Sequence, residues 1–215
     1  MGAERSLPRL LTLLLAVALL FVACGKENES YPSLVTEMVC LYTDRDGTMT
    51  QMVTDDGTQY DISGQQLTGY HASALYRGVC GFVPDGSGKA EIFTLMPVTA
   101  LHEVKDASEI KRDPTDVISI WRRGPFLNFH LSPMTRGGEQ SWAFFKDSVR
   151  ANSLGGSTYY ISLIHDQGDD VAAYHENLYA STFVDSIAQN RTAADSISVA
   201  VVTFDGLRHY RVSGE

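Results

Sequence analysis

Short runs of β-branched and aromatic residues, each closed by Gly, Asp, Asn or Pro, recur along this chain from residue 31 to its end. No stretch of that region keeps the three-to-four-residue apolar spacing of an amphipathic helix, whereas alternation and frequent breaks are the marks of strands. Four of the breaks carry Asp-Gly pairs, at Asp46-Gly47, Asp56-Gly57, Asp85-Gly86 and Asp205-Gly206. Such pairs supply the positive backbone angles that tight hairpin turns require. The pattern therefore predicts an all-β protein. With 44% hydrophobic and 20% charged residues in 215, the chain has enough apolar material for a sizeable core.

The β-rich region divides into two. Residues 31–105 predict five strands, at 35–42, 48–54, 58–62, 74–83 and 90–98, with a loose connection after the third. Five strands in so short a span suit an OB-like barrel. The segment Lys105 to Asp116 is charged, lacks an apolar run and contains Pro114, so residues 106–115 are expected to be the junction. Residues 116–215 predict seven strands, at 117–122, 126–131, 142–149, 158–165, 178–184, 196–204 and 207–212. That number of short strands in about 100 residues suits an immunoglobulin-like β-sandwich.

The N-terminus carries an address. Arg5 and Arg9 precede an apolar run from Leu10 to Val22, interrupted by Thr12 and closed by Phe21-Val22-Ala23-Cys24. The run is too short for a comfortable transmembrane helix but right for the core of a secretory signal. Its end resembles a bacterial lipobox, in which a small residue precedes a cysteine whose thiol receives the diacylglyceryl group. Residues 1–23 are read as a lipoprotein signal peptide, Cys24 as the lipidation site and residues 24–30 as a polar tether. Lys26-Glu27-Asn28-Glu29 is similar to the acidic export signal of Bacteroidetes surface lipoproteins. The expected location is the cell envelope, lipid-anchored at the outer membrane. Cys40 and Cys80 are then the remaining thiols. In an oxidising compartment they are candidates for a disulfide, since the first and fourth strands of such a barrel are neighbours; two buried unpaired thiols are the competing reading.

Several short stretches carry a family resemblance. They are Tyr31, Thr54-Asp55-Asp56-Gly57-Thr58, Asp116-Val117-Ile118-x-Ile120-Trp121, Gly124-x-Phe126-Leu127-Asn128 and Tyr160-x-Ser162-Leu163-x-His165. In this order, behind a lipobox, they resemble the NigD-like lipoproteins of Bacteroidetes. The resemblance implies an OB-like first domain, a β-sandwich second domain and, through the bacteriocin locus behind the family name, a role in immunity or envelope protection.

Sites that need fixed spacing are absent from the sequence: there is no G-x-S-x-G elbow, H-E-x-x-H, P-loop or dinucleotide fingerprint. His175-Glu176 starts like a zinc-protease motif but continues Asn177-Leu178-Tyr179. The densest polar cluster runs from His165 through Asp169 and Asp170 to His175. Carboxylates and imidazoles in one loop are weak candidates for a divalent cation, with a solvated turn as the default. No catalytic residue and no cofactor are expected. Ser148, Ser186 and Ser196 each follow Asp and precede an aliphatic residue, resembling the O-glycosylation acceptor of Bacteroidetes envelopes. The net charge of −9 argues against a nucleic-acid partner, and residues 31–105 set Arg45, Arg77, Lys89 and Lys105 against nine carboxylates. Barrel aromatics such as Tyr42, Tyr60, Phe82 and Phe93 could stack on sugars, though strand aromatics more often pack a core.

These readings combine into a non-enzymatic envelope module that binds an envelope protein, a glycan or a toxin. The alternative is a metal-dependent hydrolase whose site is assembled from distant loops, with His165, Asp169, Asp170 and His175 as first suspects.

Overall fold

A computed structural model describes residues 33–106, 108 and 110–213. The signal peptide, Cys24, the tether and Tyr31 lie outside the described residues. Apart from one helical turn the described chain is built from strands, as the turn-punctuated sequence predicts. No helix among the described residues is long and apolar enough to cross a membrane.

The first five strands are β1 (Val35–Thr43), β2 (Met49–Thr54), β3 (Gln59–Ser63), β4 (Leu75–Pro84) and β5 (Lys89–Pro97). They close into a barrel in the order β1-β2-β3-β5-β4, with β3 and β5 parallel and β4 returning to β1. This is the predicted OB-like barrel. Its interior holds Val39, Leu41, Met52, Cys80 and Phe82, with Tyr60, Tyr70 and Tyr76 packed against them. Those tyrosines fill the barrel rather than offering a stacking surface, while Tyr42 and Phe93 are exposed. At Gly47 and Gly57 the positive backbone angles of 75° and 91° are the ones their Asp-Gly turns demand.

The second part begins with two short strands, β6 (Thr99–Ala100) and β7 (His102–Val104). It continues with β8 (Asp116–Arg123), β9 (Phe126–Ser132), β10 (Met134–Thr135), β11 (Ser141–Ala151), β12 (Ser157–Asp166), β13 (Tyr174–His175) and β14 (Leu178–Phe183). The helical turn α1 (Val184–Ile187) precedes β15 (Ser196–Thr203) and β16 (Gly206–Ser213). One sheet has the order β16-β15-β12-β11-β7 and the other β6-β14-β9-β8. Leu127, Phe129 and Leu131 from one sheet meet Phe144, Ile161 and Val199 from the other, which makes this a sandwich core.

The border between the two parts differs from the sequence reading. Residues 99–104 belong to the sandwich, because β6 pairs with β14 and β7 with β11. The charged segment expected to be a junction is instead strapped to a sandwich sheet. Asp113 donates its amide to the His165 carbonyl, Thr115 donates to the Val202 carbonyl, and Thr115 is fully buried. Backbone hydrogen bonds leave no trace in composition, which is why this segment reads as a linker. The chain crosses from barrel to sandwich at Pro97-Val98, and Val98 packs with Met38 and Val79 of the barrel and Trp121 and Tyr179 of the sandwich.

The disulfide expectation fails for a geometric reason. β1 and β4 are neighbours, but Cys40 faces Arg77 and Cys80 faces Glu37 in their register. Three residues of offset place the two thiols on opposite faces of the barrel wall. Cys80 points into the core, Cys40 lies outside with Arg77, and both are free.

Candidate functional site

Two motif stretches far apart in sequence meet at the barrel–sandwich contact. Asp55 directly follows β2, and its carboxylate takes two hydrogen bonds from the Arg77 guanidinium of β4, at 2.5 and 3.2 Å. Asn128 of β9 donates to the same carboxylate at 2.9 Å and accepts from Arg77 at 3.1 Å. Ser181 of β14 donates to the Asn128 carbonyl oxygen at 2.9 Å. Phe126 lies under the guanidinium, 3.7 Å from ring centroid to Cζ. Asp55, Asn128 and Ser181 are all buried, and the Arg77 side chain keeps only 10% of its exposure.

Every acceptor in this network has a donor, whereas the buried Arg77 Nε has no hydrogen-bond partner among the described residues, so the guanidinium depends on its two terminal nitrogens for compensation. Asp56 beside it caps its own turn, accepting from the Thr54 hydroxyl and the Thr58 amide, and these bonds hold its carboxyl well below the usual range. Gly124 passes so close to the Asp55 carbonyl that any Cβ there would collide with it. The residues of the Asp55 and Asn128 motifs thus join the two domains. Sequence reasoning singled out those motifs but missed Arg77 and Ser181, which stand in no motif. Trp121-Arg122-Arg123 belongs to the same contact: Trp121 packs into it and Arg123 reaches Glu37 and Asp56 at 3.6 and 3.4 Å.

Beside this contact a cleft of about 400 Å³ opens between the end of β5 and the sandwich. Met96, Pro97, Trp142, Leu178 and Tyr179 give it apolar walls, and Thr135, Gln140 and Asn177 give it polar ones. Two of the suspected metal residues, His165 and Asp170, turn out to be its supports. His165 is 2% exposed and stacks face to face on Trp142 at 3.9 Å. Its Nε2 meets the Gln140 Oε1 at 2.9 Å and its Nδ1 the Asp113 carbonyl at 3.1 Å. Burial pulls the imidazole pKa down and outweighs the Asp113 carbonyl and the charges of Asp113 and Asp166, which favour the proton. Asp170 accepts from the Thr135 hydroxyl, the Arg136 amide and the Gln140 side chain. Those bonds, the threonine's foremost, hold the Asp170 carboxyl well below the usual range, so it is a weak base.

The four residues do not converge on one point. Asp169 is exposed on its turn, and His175 lies on β13 against Ser132 and the edge of Phe204. Among the described residues no group of three or more His, Cys, Asp or Glu side chains is arranged to hold a metal. What the cleft offers is a shaped, two-sided wall for binding. Of the serines resembling glycosylation acceptors, Ser186 is exposed on α1 and Ser148 half-buried on β11. Ser196, against the sequence expectation, is buried within β15 and bonded to Thr158 and Arg211, where no glycan could be attached without breaking the sheet.

Residues 97–213 match the family model of the NigD-like C-terminal beta sandwich domain, more than half of the chain. This chain belongs to the NigD-like family. The match starts at Pro97, where the NigD-like sandwich begins in the structure. A NigD-like immunity protein from Bacteroides caccae shares the fold at a TM-score of 0.64 and 22% identity, covering 86% of this chain and 99% of that one. A candidate toxin-related protein from Parabacteroides distasonis aligns at 0.68 and 13% identity, over 85% and 94% of the two chains. A candidate lipoprotein from Bacteroides fragilis aligns at 0.60 and 10% identity, over 85% and 99%. At these identities the likeness is one of fold, barrel and sandwich together. No curated protein matches in sequence.

Proposed function

We propose that this chain is a lipid-anchored, non-enzymatic protection module of the cell envelope, which captures its partner in the cleft between barrel and sandwich. The observation that carries the reading is the cleft itself: about 400 Å³ of apolar and amide wall whose Gln140 and Thr135 are pinned from behind by His165 and Asp170. A preorganised wall suits binding, because little side-chain freedom is left to lose when a partner arrives. The nearby carboxylate and imidazole are committed to the scaffold, which leaves them ill-suited to proton transfer. Kinship with an immunity protein and a candidate toxin-related protein supports a toxin as the partner. The lipobox at Cys24, together with the candidate lipoprotein sharing the fold, supports the anchor.

Cells lacking the chain should become sensitive to a bacteriocin-producing neighbour. The unmodified chain should restore resistance, while Met96→Glu in the cleft wall and Cys24→Ser at the anchor should not. Full rescue by both variants would overturn the reading, as would stoichiometric zinc or calcium in protein purified without chelator. Mass spectrometry of the membrane fraction should show an acylated N-terminal cysteine; a mature chain beginning elsewhere would remove the anchor.

A further inference from the structure

A second concavity, of about 360 Å³, crosses the outer face of the five-stranded sheet, away from the barrel contact. Strand alternation dictates its chemistry. Along β12 and β15 the inward residues Ile161, Leu163, Ile197, Val199 and Val201 fill the sandwich core. The outward ones, Tyr160, Ser162, Ser198, Ala200 and Val202, form a floor in which hydroxyls alternate with small apolar side chains. Arg112, Arg150 and His209 stand around it, and Arg211 lies on the same face, opposite Ser198 in the register.

The charge here runs against the whole molecule, which carries −9. None of Arg112, Arg150 and Arg211 forms an ion pair with a described residue. Arg150 sits over the Tyr160 ring at 5.4 Å, and Arg211 donates to Ser196. Asp147 is the one carboxylate among the lining residues, and it accepts from the Ser162 hydroxyl at 3.0 Å. Three arginines unpaired with any described carboxylate, against the single Asp147, set up a local field for an anion on an acidic protein.

The floor also says what kind of anion. β12 and β15 are inner strands, flanked by β11 and β16, so their main-chain groups are spent on the ladder. A peptide laid here would find no strand edge to pair with, which is how extended peptides usually gain affinity. Beside the apolar Val202 and Leu207, the groove presents hydroxyl, phenol, imidazole and guanidinium, a set matched to a ligand with hydroxyls, an acid group and apolar ring faces. We propose that this groove binds an acidic saccharide, a carboxylate-bearing sugar unit or short oligosaccharide. The rim arginines hold its carboxylate, and Ser162, Ser198 and His209 meet its hydroxyls. The inference does not rest on the cleft or on its partner.

The test is calorimetric titration of detergent-solubilised full-length protein with trigalacturonate, against cellotriose as the neutral control and a glutamate-rich peptide as the alternative anion. Trigalacturonate should bind, more weakly as salt is raised, and cellotriose should not. Arg150→Gln and Arg112→Gln should each weaken binding by about tenfold, the scale of a lost charge-assisted hydrogen bond. Both side chains are exposed, so unchanged melting curves should accompany the loss. Met96→Glu in the cleft should leave trigalacturonate binding intact. The proposal is overturned if trigalacturonate does not bind, if either arginine variant binds as well as the unmodified chain, if cellotriose binds equally, or if only the acidic peptide binds.

Discussion

Replacing Asp55 by alanine should be among the most damaging single changes available in this protein. The substitution strips the Arg77 guanidinium of its carboxylate in a site where that side chain is only 10% exposed. Asn128, fully buried, loses the acceptor of its side-chain amide at the same time. Removing one partner of a buried, hydrogen-bonded pair costs about 3–5 kcal/mol, against about 5–15 kcal/mol for the whole stability of a typical domain. With a urea dependence of about 2 kcal/mol per molar, the unfolding midpoint should fall by about 1.5–2.5 M. Because Asp55 and Arg77 belong to the barrel and Asn128 and Ser181 to the sandwich, the loss should appear as a loosened contact as well. Limited proteolysis should then cut near Pro97-Val98, where the chain crosses between the two. A double-mutant cycle separates this account from a simple cavity. Arg77→Met alone leaves a buried carboxylate and should also be costly, yet combined with Asp55→Ala the total should fall short of the sum by about 2 kcal/mol. A midpoint shift under about 0.5 M for Asp55→Ala, or additive single costs, would refute the lock, since such small effects belong to exposed pairs.

Gly124→Ala should destabilise by about 1–3 kcal/mol, since the residue has φ of +55° and its Cβ would strike the Asp55 carbonyl. Gly57→Ala, with φ of +91° but open space around it, should cost less, and thermal melts of the two variants rank them. Cys40 and Cys80 should stay unlinked in protein secreted to an oxidising compartment and react with maleimide only after unfolding. Burial pushes the Cys80 thiol up to about 12, and the intact mass under non-reducing conditions reads the outcome. His165 has a folded-state pKa below its ordinary 6.5 because burial disfavours the imidazolium. Its contribution is therefore complete above pH 6.5 and lost as pH falls through the folded value. Urea midpoints at stepped pH should drop below pH 6.5 for the unmodified chain and drop less steeply for His165→Gln.

Element by element, the strands were legible because each is written locally. The apolar, β-branched run of Val35–Thr43, the partial alternation of Ser196–Thr203 and the Asp-Gly turns at Gly47, Gly57 and Gly206 need no knowledge of the rest of the chain. The all-β class and the two-part order followed from them. The polar cluster from His165 to His175 was also visible, but its meaning was not. A histidine buried against Trp142 and an aspartate holding Thr135 look, in one dimension, the same as ligands awaiting an ion.

Sequence by itself determined that this chain folds as β-strands with hairpin turns, since period-two alternation and turn chemistry act over a few residues. Tertiary structure alone decided which strands became neighbours. It moved residues 99–104 into the sandwich, set Cys40 and Cys80 on opposite faces of the barrel wall, and brought Asp55 to Asn128 across 73 positions. It also laid Arg112, Arg150 and His209 around one groove. These outcomes depend on sheet closure and register, which are fixed by how two hydrophobic cores are jointly buried, and no local stretch of sequence carries that information.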